Sequence, residues 1–223
     1  MDNPKTLDLI VRSRATVLEI LENRGYDVSA YKGIHPEEIF KLAVAGQDFL
    51  KIIVTAKPDL DVPAPAAKAV VLYWVEAPVR LSLESHIEKY LTLNADGDST
   101  DAFDPTKHEL IVILAEPQHE VFHNMAIKYW NTKKIHLSFF QLENVVSNPA
   151  RHVFVPRHRK LGPEEVSALT KGLHLSAKTQ LPHIKYHVDM QARVLGLVPG
   201  DIVEINAPSE TSGVYVKYRV CTP

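Results

Sequence analysis

Two stretches of this sequence, Ala-Val-Val-Leu-Tyr-Trp-Val from Ala69 to Val75 and Leu-Ile-Val-Ile-Leu from Leu110 to Leu114, are apolar at nearly every position. A strand with one wet face alternates apolar and polar residues, so a β-branched run without alternation needs cover on both faces. Such cover comes from helices. Leu83 to Leu93 reads as one, followed by a polar loop from Asn94 to Thr106; a short helix follows Pro117, and Ile135 to Phe140 reads as a further strand. Strands alternating with helices predict an α/β layered domain.

Upstream, Leu7, Ile10, Val11, Val17, Leu18 and Leu21 recur at helical spacing, and Gly25 ends that helix as a left-handed C-terminal residue does. A second helix opens at Pro36, carries Glu37 and Glu38 at its positive end, and stops at Gly46. Phe49 to Thr55 reads as a strand, and the proline-containing segment Lys57 to Lys68 as a surface connection. After Asn148-Pro149 the pattern changes. A basic segment runs from Arg151 to Lys160, Pro163 opens a short helix, and two short strands, Ile202 to Ile205 and Val214 to Val220, flank a turn-rich loop. These features place a domain boundary near residues 145 to 152.

The net charge of -2 supplies no global positive field, so any contact with nucleic acid depends on a local patch or on neighbouring chains. One cysteine, Cys221, permits no internal disulfide and no cysteine cluster for zinc, which suits a reducing compartment. No signal-peptide pattern or apolar run of membrane-spanning length is visible, so the expectation is a soluble intracellular chain without membrane association.

The common catalytic motifs are missing. No glycine precedes a lysine, which excludes a phosphate-binding Walker loop; no two glycines stand two apart, which excludes the dinucleotide fingerprint; and no Gly-x-Ser-x-Gly elbow occurs. His119-Glu120-Val121-Phe122-His123 matches the zinc-protease pattern, in which two histidines share a helix face and Glu120 would act as general base, with Glu143 as a third ligand to be sought downstream. A zinc-dependent hydrolase is thus the alternative reading. Against it, Pro117 puts the motif in the exposed first turns of a helix, and an intervening strand separates Glu143. His183-x-x-x-His187 reads as surface histidine, Arg157-His158-Arg159-Lys160 as a solvated face able to touch phosphate or an acidic partner, and Tyr73 and Trp74 as core.

Beyond position 147, ordered blocks stand in sequence: Asn148 and His152; Val155-Pro156-x-His158; Pro163-Glu164-Glu165-Val166; Gln180-Leu181-Pro182-x-Ile184; Asp189; Ala192-Arg193; Leu195-Gly196; Pro199-Gly200-Asp201-Ile202-Val203-Glu204-Ile205; and Pro208-Ser209-Glu210-Thr211-Ser212-Gly213-x-Tyr215-x-x-Tyr218-Arg219. Together they resemble the jaw subunit shared by eukaryotic nuclear RNA polymerases, whose archaeal homologue is a short polymerase subunit with the C-terminal domain alone. Arg14, Arg24-Gly25-Tyr26 and the Leu110 to Leu114 strand fit the family's N-terminal half more thinly. Met190-Gln191 replaces the usual residues before the Ala-Arg pair, Ala207 replaces an arginine, and Glu116-Pro117-Gln118 stands where a Thr-Pro-Ser stretch is usual. Departures of this kind suit a divergent, paralogous or virus-encoded copy.

The resemblance implies an N-terminal nuclease-like α/β jaw domain, residues 1–147, and a small mixed α/β C-terminal assembly domain, residues 148–223. It implies a non-catalytic nuclear subunit without cofactor or small-molecule substrate. Its partners would be the largest polymerase subunit, the small omega-like subunit and, within the complex, downstream duplex DNA. A nuclease of that fold needs an acidic-x-Lys triplet, and none of the sixteen lysines has Asp or Glu two residues before it. The implied partner-binding residues are His152, Pro156, His158, Gln180, Leu181, Pro182, Ile184, Arg193, Gly196, Gly200, Ser209, Glu210, Tyr215, Tyr218 and Arg219. Lys107, His108, Gln118 and His119, flanking the Leu110 to Leu114 strand, are the implied DNA-facing residues.

Overall fold

The computed structural model describes residues 4–58, 64–76, 78–93, 104 and 107–223. The expected loop Asn94 to Thr106 lies outside them except at Asp104, as do residues 59–63 of the proline-containing connection. The helices are α1 (Pro4–Asn23), α2 (Pro36–Ala45), α3 (Leu83–Leu93), α4 (Glu120–Lys133), α5 (Pro163–Gly172) and α6 (Met190–Val194). None of the described helices is long and apolar enough to cross a membrane.

The strands β1 (Ile52–Thr55), β2 (Lys68–Trp74), β3 (His108–Leu114) and β4 (His136–Gln141) form one sheet in that order, β1 antiparallel and the others parallel. Both faces are covered, and pleat alternation decides which residue meets which layer. Ala69, Val71, Tyr73, Ile111, Ile113 and Phe140 pack with Ile10, Val17 and Leu21 of α1 and Ala43 of α2. Val70, Leu72, Leu110, Val112, Leu114, Leu137 and Phe139 turn the other way, onto Leu83 and Ile87 of α3 and Phe122, Ala126 and Tyr129 of α4. The expected strand from Phe49 is shorter than anticipated: residues Gln47–Leu50 form a 3-10 turn, and Phe49 is exposed.

The second sheet has the order β5 (Arg157–Lys160), β7 (Ile202–Ser209), β8 (Gly213–Thr222), β6 (His183–Lys185). β7 runs through Pro208 and Ser209, so the turn-rich loop is shorter than the sequence suggested, and the basic run expected as a solvated face is itself strand β5. Ile184, Tyr186, Ala192, Leu197, Val203, Ile205 and Cys221 from this half join the same buried cluster as α3 and α4. The mixed α/β class is therefore as expected, with one of its buried clusters running across both sheets.

Candidate partner-binding surface

α1 ends in a reciprocal backbone cap. Tyr26 N–H donates to Leu21 O and Gly25 N–H to Glu22 O, both at 3.0 Å, and Gly25 adopts φ 95°. This cap fixes the approach of Arg24, which is buried. Its Nη1 donates to Glu109 Oε1 at 2.8 Å, its Nε to Val194 O at 3.2 Å and its Nη2 to Arg193 O. Glu109 heads β3, and His136 heads β4 with Nδ1 2.8 Å from Glu109 Oε2, although a proton on that nitrogen would not point at the oxygen. Burial alone would raise the Glu109 pKa; the charges of Arg24 and then His136 outweigh it and hold it at about 2.

The seam continues through Arg193, which donates from Nη1 to Phe139 O at 2.8 Å and to Gln118 Oε1 at 3.0 Å. Burial lowers its pKa to about 10 against the opposing pull of Asp189. His187 Nε2 accepts the Phe139 amide at 2.9 Å, and its ring stacks on His123 with centroids 6.1 Å apart. The expectation of a surface histidine therefore fails for His187, which is buried with φ 61° and a pKa driven well below 6.5, first by burial and then by the charge of Arg193. Sequence reasoning missed this seam, although a carboxylate placed directly before a doubly buried strand demands a buried cation.

The implied partner-binding residues divide by burial. Leu181, Ile184, Arg193 and Gly196 are buried within the chain, Leu181 with Leu161, Ile202 and Val220, Ile184 in the cluster shared by both sheets, and Arg193 in the seam. Gln180 Oε1 accepts the Ser176 amide at 2.8 Å, and Pro182 O accepts the Val220 amide at 2.9 Å. At the junction of the halves the Asn148 side chain accepts the Ala150 amide, His152 Nδ1 accepts the Phe154 amide, and His158 Nδ1 donates to Pro156 O. These turns thrust out Val153 and Phe154, 86% and 87% exposed. Gly200, Ser209, Glu210, Tyr215, Tyr218 and Arg219 gather on or beside the β7–β8 hairpin, together with exposed Val214 and Val216. In β5, Arg159 bonds Glu165 and Glu204, and Lys160 Nζ lies 2.8 Å from Asp201. Two of the four residues in the run expected as a solvated face, Arg159 and Lys160, are thus matched to acids of their own half.

The four implied DNA-facing residues do not form one patch. Lys107 and His108 stand at one end of β3, and Gln118 and His119 follow the other end, about 20 Å away along the strand. His108 is also only 8% exposed, its ring accepting the Asp104 amide at 2.9 Å, so this member of the set does not face solvent. His119 is the N-cap of α4 and its Nδ1 accepts the Val121 amide. It sits outside the helix that carries His123, so the shared helix face that motivated a zinc site is not formed.

Residues 147–221 match the family described as RNA polymerase Rpb5, C-terminal domain. Over 217 residues the chain is 28% identical to DNA-directed RNA polymerases I, II, and III subunit rpabc1 of Dictyostelium discoideum, covering 96% of this chain and 98% of that protein. The corresponding subunit of Caenorhabditis elegans is 27% identical over 216 residues, 94% of this chain and 93% of its own. DNA-directed RNA polymerase subunit Rpo5 of Pyrococcus abyssi is 47% identical over 73 residues, 33% of this chain but 87% of that protein. The agreement follows the architecture, strongest where the second sheet, the hairpin and the Arg193 seam lie and extending over both halves in the longer relatives; the chain belongs to the RNA polymerase Rpb5 family.

Proposed function

We infer that this chain is a non-catalytic structural subunit of a DNA-directed RNA polymerase, docked on the largest subunit and the small omega-like subunit and framing the downstream DNA channel. The observation that carries this is the agreement with polymerase subunits over almost the whole chain. The division of labour assigns residues 148–223 to assembly and residues 1–147 to the jaw. The exposed Val153-Phe154 pair and the β7–β8 hairpin give the assembly half apolar surface suited to burial against partners.

With a net charge of -2 the free chain binds duplex DNA weakly, because affinity follows the number of phosphates that Lys and Arg neutralise. In the enzyme its contacts are few, fall on the DNA backbone and are indifferent to sequence. Gln118 and His119, exposed beyond the end of β3, are the positions for them. The enzyme that recruits the chain is a nuclear one.

Affinity purification of the tagged chain from its native cell tests the reading. The expected result is stoichiometric recovery of the two large polymerase subunits and crosslinks from Gln118 to downstream DNA in an elongation complex. Recovery of the chain without polymerase subunits would overturn the function; crosslinks from Arg157 but none from Gln118 would move the DNA-facing surface to the second half.

A further inference from the structure

The β7–β8 hairpin outgrows its sheet. β5 pairs with β7 only over Val203 to Asn206, and β6 pairs with β8 only over Val220 to Thr222. The remainder, from Ala207 round to Tyr215, is a two-stranded ribbon, and Val214, Tyr215 and the adjoining Val216 are 59%, 54% and 42% exposed. Consecutive exposed residues on a strand point to opposite faces, so neither face of the ribbon is covered. Two-stranded ribbons hold together weakly in water by themselves.

The edge of β8 is open as well. Cys221 N–H donates to Asp201 O at 2.8 Å, so odd-numbered residues of β8 turn their backbone groups toward β7. Val220 N–H donates to Pro182 O at 2.9 Å, and Thr222 O accepts from Tyr186 N–H at 2.7 Å, so even-numbered residues turn theirs away. The register is unbroken to Gly213, and Val214, Val216 and Tyr218 therefore face outward. Val214 N–H is taken up by Ser212 O in the turn. Val216 and Tyr218 present N–H and C=O groups along an edge with no strand beside it among the described residues.

We propose that this edge, from Val214 to Tyr218, accepts an extended segment of another polymerase subunit as an added strand, acidic on one face and apolar on the other. The side chains set that chemistry. Lys217, its ammonium 5.1 Å from the Tyr215 ring centre, and Arg219 project from one face of β8 and favour carboxylates opposite them. Val214 and Val216 project from the other face and favour apolar neighbours. A second copy of this chain is the wrong occupant: two β8 edges paired antiparallel through the outward groups of Val216 and Tyr218 would set the Lys217 side chains of the copies opposite each other, and like charges across a strand pair repel.

The inference rests on the polymerase-subunit reading, and its test separates the two. Amide hydrogen exchange is followed on the full chain, free and within purified polymerase. The Val216 and Tyr218 amides are expected to exchange about tenfold slower or more after assembly. Val216→Pro removes one outward N–H and leaves the bonds to β7; it is expected to lower recovery with polymerase about fivefold or more while far-ultraviolet circular dichroism stays unchanged. Assembly of the wild-type chain with both amides exchanging as fast as in the free chain would overturn strand addition and leave the function standing. Failure of the wild-type chain to assemble would overturn both. Should Val216→Pro misfold, the exchange measurement decides alone.

Discussion

His187 shows how tightly a single buried side chain is held to one protonation state. Its Nε2 accepts the Phe139 amide, which an imidazolium cannot do, and the rings of His123 and His136 and the guanidinium of Arg193 all oppose a positive charge there. In the unfolded chain the ring takes up a proton as pH falls through its ordinary value of 6.5; in the folded chain it does not. The unfolded state then binds more protons, so the stability present above pH 6.5 declines below it, by at most about 1.4 kcal/mol per pH unit for one proton. Glu109 follows the same sign in a lower window: its contribution is present above 4.5 and lost as pH falls from there through about 2, so it is silent between about pH 7.5 and pH 5.5. Urea unfolding between about pH 7.5 and pH 5.5 should give a shallower slope for His187→Phe than for the wild type. Equal slopes would show that His187 is not the group responsible. The seam was not legible in the sequence because Arg24, Glu109, His136 and Arg193 lie far apart along the chain, and the positive φ of His187 leaves no trace in its residue type.

The elements themselves were legible wherever local chemistry punctuates them. Pro36 and Gly46 bracket α2, and Leu83 and Leu93 bound α3, as their sequences indicate. The elements missed were β5, β6 and α6, which are 4, 3 and 5 residues long and rely on tertiary partners for their shape. Arg157-His158-Arg159-Lys160 reads as a charged surface because Glu204 and Asp201, its matching acids, arrive only with β7. The end of α6 carries a prediction of its own. Gly196 adopts φ 62°, and a Cβ there would lie 2.8 Å from Pro65 Cγ and 3.1 Å from Arg24 Nε. Gly196→Ala should therefore cost about 2 kcal/mol or more, by backbone strain and by displacing Arg24. Gly172→Ala, with nothing within 4 Å of the added methyl, should change stability by less than about 1 kcal/mol. Denaturant midpoints of the two variants check the contrast; similar midpoints would remove Arg24 from the account.

In the whole molecule one of the buried clusters spans both sheets, and this bears on how its halves can be separated. The family blocks after residue 147 were legible because they are dense and ordered, whereas the packing of that half onto β2, β3 and β4 was not, since apolar residues in a sequence do not name their neighbours. A fragment comprising residues 148–223 keeps the β5-β7-β8-β6 sheet but uncovers Ile184, Tyr186, Leu197, Val203 and Ile205. It is expected to retain folded structure and join the polymerase, yet to melt below the full chain and bind a hydrophobic dye that the full chain does not. A fragment melting at the full-chain temperature would mean that the shared cluster contributes no stability. For relatives such as the Pyrococcus abyssi protein, 87% of which is covered by a match of 73 residues, the same feature acts as a constraint on composition. A chain built on the second sheet alone presents a face that is interior in this molecule. Natural selection must either recolour it with polar side chains or keep it permanently covered by a neighbour, and the positions where polar residues are concentrated should trace, residue by residue, the outline of the first sheet and its helices.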